Sequence, residues 1–277
     1  MTPGVFARTY AARDPAAVLA QVRRDGFAAV QFNLSCAGLD PLPDALPEGI
    51  GQTVRAAAQA QGLTLCALSG TYNMAHPDPQ RRKADRARFA NVLAAARAMG
   101  VGLVTLCTGS RDVADMWRAH PENASPAAWA DLRGELDAIL PMAEAQGLVL
   151  AIEPEPGNVV ANAPLARRLL DELGTPRLGI ILDAANLLPP EALPRQHAVV
   201  AEAVDLLGGD LCLVHAKDVD ALGRVVPAGA GAVDLPGFVA RIHAAGYVGP
   251  LVGHGFAAAD APAVAAYLTG LIAGTRP

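Results

Sequence analysis

The sequence is poor in charge and in aromatic side chains. Of its 277 residues, 18% are charged and 4% are aromatic, and the formal net charge is -5 at neutral pH. A disordered chain would contain far fewer apolar residues than the 52% found here. A nucleic-acid-binding protein would need a basic surface, which an acidic chain of this kind does not supply. Both classes are excluded, and we expect no nucleic-acid partner.

Long apolar runs are also absent. No stretch approaches 18 uninterrupted apolar residues, and the opening MTPGVFARTYAARDP lacks the apolar run of a signal peptide. The four cysteines, Cys36, Cys66, Cys107 and Cys212, are widely spaced and form no CxxC pair, which argues against a disulfide framework or a zinc knuckle. We therefore expect a soluble cytoplasmic protein with no membrane partner.

Short apolar segments alternate with Ala- and Leu-rich helical stretches. The pattern predicts eight strands, at 4–9, 28–34, 63–69, 103–108, 148–154, 178–183, 211–218 and 250–254. It predicts eight helices, at 14–25, 48–61, 79–99, 126–146, 161–173, 191–207, 235–245 and 260–273. Segments such as LVLAI and LGIIL are continuously apolar, as in parallel strands covered on both faces.

Eight strand-helix units in a chain of this length predict one domain over 1–277, a (β/α)8 TIM barrel. An open doubly wound sheet is the alternative. That alternative loses support because no GxGxxG follows the first strand and no Gly-rich loop ends in Gly-Lys-Ser/Thr.

Four polar side chains lie at the ends of predicted strands: Glu153, Asp183, His215 and His254. The carboxyl ends of barrel strands meet at one mouth, so we expect these side chains to be neighbours. Two carboxylates and two imidazoles can hold one divalent cation, Mn, Mg, Co or Zn. Taken singly, each residue also has an ordinary structural interpretation, as a helix cap, a buried core histidine or a turn residue.

In order and spacing, these motifs resemble the xylose isomerase-like barrels. That family includes sugar phosphate isomerases and epimerases, inosose and dehydroshikimate dehydratases, and an endonuclease branch. The resemblance runs from about position 26 to 256. It rests on Ile-Glu-Pro at 152–154, on Asp183, on His-Ala-Lys-Asp at 215–218, and on AGAGAVD at 228–234 followed by GYVGP at 246–250.

The resemblance implies a TIM barrel that binds one divalent metal through a Glu, an Asp, a His and a second Glu from the last strand. Glu153, Asp183 and His215 match the first three. Two positions depart from the pattern: Asn186 replaces the His of an Asp-x-x-His motif, and His254 stands where the second Glu is expected. An imidazole can replace a carboxylate as a ligand, but it adds no negative charge.

The implied function is a sugar or sugar-phosphate isomerase or epimerase of carbohydrate metabolism that works by enediolate-type proton transfer. Glu153 is then both metal ligand and base, and His254 is the acid or base on the opposite face. A metal-dependent dehydratase (lyase) and a catalytically lapsed binding barrel are the alternatives. An endonuclease is the weakest option, because this acidic chain lacks a basic DNA-binding face.

Further polar residues near the predicted mouth are candidates for binding a small-molecule sugar or polyol. They are Asn33, Tyr72, Asn73, His76, Thr108, Arg111, Glu155, Asn186 and Lys217. Glu155 can instead support the metal ligands by pairing with Lys217 or orienting His215. Trp117 and Trp129 are candidates for an apolar lid, with plain packing as the alternative. Barrels of this kind often form homo-oligomers, but no interface can be identified from the sequence.

Overall fold

The computed structural model describes residues 1–274, so positions 275–277 of the predicted domain lie outside the described residues. The barrel strands are β1 (Thr2–Phe6), β2 (Ala29–Phe32), β3 (Thr64–Ser69), β4 (Leu103–Cys107), β5 (Val149–Glu153), β6 (Leu178–Asp183), β7 (Leu211–Ala216) and β10 (Pro250–Gly253). Two short strands, β8 (Asp218–Val219) and β9 (Val225–Val226), form a separate antiparallel pair. The parallel barrel closes in the order β1-β10-β7-β6-β5-β4-β3-β2, which confirms the predicted TIM barrel.

The helices alternate with the barrel strands along the described chain. They are α1 (Pro15–Arg24), α2 (Ile50–Ala60), α3 (Pro79–Met99), α4 (Pro126–Ala145), α5 (Ala163–Leu173), α6 (Gln196–Leu207), α7 (Leu235–Ala244) and α8 (Ala261–Ala273). Several begin at a side chain that accepts a hydrogen bond from the first turn, as Asp14, Asp78 and Ser125 do. These caps satisfy backbone N–H groups that have no partner within the helix.

Several predicted bounds differ from the structure. The first strand, predicted over 4–9, spans Thr2–Phe6, and Ala7–Thr9 forms a 3-10 helix. The helix predicted over 191–207 begins only at Gln196, because Pro190–Arg195 forms a 3-10 helix whose prolines cannot donate backbone hydrogen bonds. The strand predicted over 211–218 ends at Ala216. Beyond it, the Asp218 side chain accepts hydrogen bonds from the backbone N–H groups of Gly229, Gly231 and Val233, and so folds the following loop back onto the strand end.

Apolar side chains fill the barrel interior directly below the mouth. They form a cluster of their own, made of Ala67, Leu103, Ala151, Ile181, Leu213 and Val252. Because successive side chains of a strand point to opposite faces, the residue two positions further on points inward again, one layer higher. Ala151 is followed in this way by Glu153, and Ile181 by Asp183. The apolar layer therefore supports a polar layer at the mouth.

Among residues 1–274, no helix is both long enough and apolar enough to span a membrane. The four cysteines are free; Cys36 and Cys107 are buried and the other two are half-buried.

Candidate metal centre

The polar layer at the mouth brings together the four residues predicted as metal ligands. Glu153, Asp183, His215 and His254 each offer one ligand atom, and these atoms all lie within 4.8 Å of one another. The four come from β5, β6, β7 and the residue that follows β10, which are neighbours in the barrel. Each stands two positions after a residue of the interior apolar cluster, which is why each points inward.

The carboxylates and imidazoles pair with one another. The His215 Nδ1 atom lies 3.0 Å from Glu153 Oε1, and the His254 Nε2 atom lies 3.1 Å from Asp183 Oδ2. The two imidazole rings meet edge to face with their centroids 4.6 Å apart. All but His254 are buried, and His254 is half-buried. Four groups that can bind metal thus share one small, largely water-excluded space.

Burial disfavours the charged forms of all four groups. In three of them, contacts with oppositely charged neighbours have the larger effect on the pKa. His215, through its charge and its hydrogen bond, holds the pKa of Glu153 below its usual range, and Lys217 and His254 do the same for Asp183. The carboxylates raise the pKa of His215. At His254 burial prevails, and its pKa is lowered. The carboxylates are therefore ionised at neutral pH, and His254 is neutral.

Lys217 and Asn186 lie beside the carboxylates. The Lys217 Nζ atom is 3.7 Å from Asp183 Oδ2 and donates a hydrogen bond to Asn186 Oδ1. Asn186 Nδ2 donates in turn to Glu153 Oε1 at 2.9 Å. This chain of contacts fixes the amide orientation of Asn186 and restrains Glu153. Lys217 and Asn186 are both predicted to bind substrate. In the structure, Lys217 contacts Asp183 and Asn186 contacts Glu153.

Glu155 is half-buried and lines the cavity above the four ligands. Burial and the nearby Glu153 carboxylate raise the pKa of Glu155 to about 7, against the opposing effect of Lys217. A carboxyl with this pKa carries a proton for part of the time at neutral pH. Glu155 can therefore donate as well as accept hydrogen bonds toward a ligand.

Sequence reasoning missed Gln31, which contacts the outer side of His215. Gln31 is buried within β2, and its Oε1 atom lies 2.7 Å from His215 Nε2. Its Nε2 atom donates to Thr105 Oγ1 on β4 at 3.1 Å. Gln31 accepts from the Nε2–H group, while in the metal-free protein the Nδ1–H group donates to Glu153; loss of that proton leaves the Nδ1 lone pair facing the other candidate ligands. A single glutamine inside the apolar strand AVQF is the sequence signal that could have identified it.

Some of the remaining substrate-binding candidates line a cavity, and others form hydrogen bonds within the protein. Asn33 lines the cavity, although its Oδ1 atom also accepts from the Ser35 backbone N–H group. His76 lines an adjoining cavity. Tyr72 donates to Glu135, and the Thr108 hydroxyl accepts from the Val160 backbone N–H group.

Asn73 and Arg111 hold the loop that follows β4. Asn73 donates to the Ser110 carbonyl and accepts from the Ser110 N–H group, while Arg111 pairs with Asp131 at 2.7 Å. With Tyr72 and Thr108, they shape the mouth through contacts within the protein. Tyr72 and Asn73 also line the adjoining cavity, so their role in substrate binding stays a prediction.

The two tryptophans have different positions. Trp117 is 50% exposed and lines the cavity above the ligands. Trp129 lies on α4, where Arg168 stacks on its ring at 4.0 Å and its Nε1–H group donates to Glu172. Of the two predicted lid residues, only Trp117 stands at the mouth. The cavity it borders has a volume of about 380 Å³, within the range of small-molecule sites.

The donor set suits a divalent cation. Two buried carboxylates and two imidazole nitrogens provide oxygen and nitrogen ligands, which are the donors that Mn, Co and Zn accept. Buried carboxylates this close together also gain from a cation between them. The fit rests on these four side chains and does not identify the metal.

Comparison with known proteins agrees with this architecture. The model of the xylose isomerase-like TIM-barrel family matches residues 19–270. The chain belongs to this family. No curated protein matches the sequence significantly.

Solved structures of the family are similar to the chain over nearly its whole length. The 3-keto-D-glucoside 4-epimerase YcjR from E. coli is 19% identical, with a TM-score of 0.75 and 99% of each chain covered. A D-allulose 3-epimerase from Methylomonas sp., solved with D-allulose, is 17% identical, with a TM-score of 0.74 and coverage of 100% and 97%. The IOLI protein, solved with a zinc atom, is 16% identical, with a TM-score of 0.71 and coverage of 100% and 99%. At these identities the similarity establishes the fold.

Proposed function

We propose that the protein is an isomerase or epimerase of a sugar or related polyol, and that it holds one divalent metal through Glu153, Asp183, His215 and His254. The observation that carries the proposal is the convergence of these four donors, three of which, Glu153, His215 and His254, line a cavity of about 380 Å³. The similar structures, two sugar epimerases and a zinc-bound barrel, support the same interpretation.

When bound, a divalent cation would stabilise the negative charge that develops on the substrate oxygens as a neighbouring carbon loses its proton. Glu153 can take that proton because it is ionised at neutral pH and Asn186 orients its carboxylate. His254 is neutral at rest and can accept a proton or return one at a second position. Lys217 offsets part of the acidic charge and keeps Asp183 ionised.

A metal-dependent dehydratase is the second candidate, and Glu155 favours it. A leaving hydroxyl group needs a proton donor beside it, and Glu155, a second carboxyl group that lines the cavity two residues beyond Glu153, is placed to supply one. The same enolate-like chemistry at Glu153 would then end in loss of water instead of return of the proton. The two reactions differ in their products.

Two measurements test the proposal. Elemental analysis and calorimetric titration of the purified protein with Mn²⁺, Mg²⁺, Co²⁺ and Zn²⁺ establish whether the site binds metal. NMR of ketoses and keto-polyols incubated with the metal-loaded protein in D₂O then distinguishes the reactions. Deuterium incorporated at carbon in an isomeric product supports the isomerase, whereas an unsaturated or deoxy product supports the dehydratase. A protein that binds none of these metals contradicts both and leaves a catalytically lapsed binding barrel.

A further inference from the structure

A second cavity adjoins the one above the candidate ligands. It has a volume of about 450 Å³ and lies among the loops that follow β2, β3 and β4 and the first turns of α3. Pro41, Thr71 and Met116 line both cavities. The two cavities are therefore adjacent, separated at this point by the side chains of these three residues. Each cavity alone lies within the size range of a small-molecule site.

The loop between the cavities is held by several hydrogen bonds. Asn73 makes two hydrogen bonds with the Ser110 backbone, and Asn158 donates to the Met116 carbonyl at 3.0 Å. Asp112 accepts from the backbone N–H groups of Ala114 and Asp115. A loop fixed in this way loses little conformational freedom when a ligand binds. The second cavity is therefore a preformed compartment.

The charges around the second cavity disfavour an anionic ligand. Its lining contains four carboxylates and two guanidinium groups, those of Asp40, Asp85, Asp112, Asp115, Arg81 and Arg88. The two arginines already pair with Asp85 and Asp44, at 2.7 and 2.6 Å. With Asp44 and the Asp112 partner Arg118 included, five carboxylates stand against three guanidinium groups. A phosphate or carboxylate would meet net repulsion here.

One lining carboxylate oxygen is left without a partner. The side chain of Asp85 is only 5% exposed, and its Oδ1 atom has no hydrogen-bond partner among the described residues. That atom has almost no accessible surface, so it does not contact a ligand directly, but its negative charge, which has no such partner, adds to the repulsion of an anion in the adjoining cavity. The lining offers acceptors and guanidinium donors together, and a hydroxyl group can satisfy both because it donates and accepts.

We propose that the second cavity is a subsite for a neutral glycosyl ring, so that the substrate is a glycosylated keto sugar whose reacting ring lies above the candidate metal centre. This assignment rests on the proposed function and narrows it: the non-reacting part of the substrate is a sugar ring, and a sugar phosphate is disfavoured. Trp117, half exposed at the rim of the first cavity, provides an apolar face for the reacting ring.

Matched ligands test the subsite. Binding of D-fructose, fructose 6-phosphate and the glucosyl-fructose disaccharides turanose, maltulose and isomaltulose is measured calorimetrically on the full chain in the presence of Mn²⁺. We expect at least one disaccharide to bind about tenfold or more tightly than fructose, which corresponds to about 1.4 kcal/mol. We expect no gain from the phosphate.

A pair of substitutions in one loop assigns the gain to the second cavity. Ala114 is exposed and lines that cavity, whereas Ala119 is exposed in the same loop but lines neither cavity. Ala114→Trp should fill the subsite and abolish the advantage of the disaccharide while leaving the affinity for fructose unchanged. Ala119→Trp should preserve the advantage. Melting temperatures verify that both variants are folded.

Three results would overturn the subsite: disaccharides that bind no more tightly than fructose, an advantage that survives Ala114→Trp, or a gain that goes to fructose 6-phosphate. The protein is also titrated with Mn²⁺ before any sugar is added. If it binds no metal, the proposed function fails, and this result is independent of the test of the subsite.

Discussion

The His254 Nε2 atom lies 3.1 Å from Asp183 Oδ2, so an imidazole that follows the last barrel strand contacts a carboxylate two strands away. The resemblance to the family predicts a glutamate at position 254. A carboxylate there would meet Asp183 at close range, and two like charges repel unless a cation lies between them. The histidine removes this repulsion, so the ligands can pack closely even without metal.

Replacing His254 with glutamate should therefore make the fold more dependent on metal. Without metal, His254→Glu should lower the melting temperature; with Mn²⁺ or Mg²⁺ it should bind more tightly than the wild type, because an anionic oxygen replaces a neutral nitrogen. Turnover should fall by about 100-fold if His254 transfers a proton. Calorimetry, thermal melts and the pH-rate profile measure these effects.

The exposed His197 provides the matched control, since His197→Glu adds the same charge on α6. That variant should leave metal affinity and turnover unchanged. If His254→Glu binds metal more tightly yet turns over at the normal rate, His254 is only a ligand, and proton transfer belongs to Glu153.

Metal affinity should fall as the pH falls, because a protonated imidazole cannot bind a cation. The pKa of His215 is raised in the metal-free protein, so protons should begin to compete above the ordinary histidine value of about 6.5. Metal binding near pH 7 should release protons. Titrations in two buffers of different ionisation enthalpy measure that release, and an affinity unchanged at pH 5 would contradict ligation by imidazole.

Gln31 should influence the affinity for metal through its contact with His215. Gln31→Leu removes the acceptor that faces His215 Nε2 and should weaken metal binding by about 10- to 100-fold. Gln31→Glu keeps an acceptor at this position and should retain or increase affinity. Spectra of the Co²⁺-loaded proteins report the ligand geometry directly. Equal affinities for Gln31→Leu and the wild type would show that Gln31 only fills space.

The sequence predicts the barrel and the convergence of the four candidate ligands for the same reason. The ends of the strands can be predicted from the apolar runs, and in a parallel barrel those ends must meet. The positions of Glu153 and Asp183 can therefore be predicted without knowing how the loops fold. Gln31 could have been identified by the same reasoning, because it is two positions beyond Ala29 on an inward-facing row.

Loop residues are harder to predict. Tyr72 and Arg111 lie in loops whose course depends on partners far along the chain, such as Glu135 and Asp131. A polar side chain in such a loop can face a ligand or hold the loop, and composition does not distinguish the two. The helical periodicity predicts a helix start at 191, but Pro190 and Pro194 favour a 3-10 helix there, and the α-helix begins at Gln196.

The loop that follows β4 should depend on Arg111. Its guanidinium pairs with Asp131 and donates to the Ala75 carbonyl at 3.2 Å, in a buried setting. Arg111→Met keeps the aliphatic volume but removes both contacts, and should lower the free energy of unfolding by about 2 kcal/mol. Arg118→Met, at an exposed arginine of the same loop, should cost less than about 0.5 kcal/mol. Denaturant titrations measure both values, and equal losses would contradict a special role for Arg111.

Two glycines with similar backbone angles should respond differently to alanine. Gly109 has φ +76° and Gly100 has φ +74°, so both substitutions introduce left-handed strain. At Gly109 a Cβ atom would also lie 2.1 Å from Asn73 Oδ1, whereas at Gly100 its nearest neighbour would be 3.6 Å away. Gly109→Ala should therefore be the more destabilising by about 1 kcal/mol or more. Equal unfolding midpoints would show that the loop accommodates the Cβ atom with no loss of unfolding free energy.

The candidate ligands all come from one side of the barrel, β5, β6, β7 and β10, while the loops that follow β2, β3 and β4 form the adjoining second cavity. On the proposed function, chemistry and selectivity belong to different arcs of the same ring. Positions 112–115 line only the second cavity and contain none of the candidate ligands. New substrates can therefore be sought by redesigning positions 112–115, which leaves Gly109 and Arg111 in place.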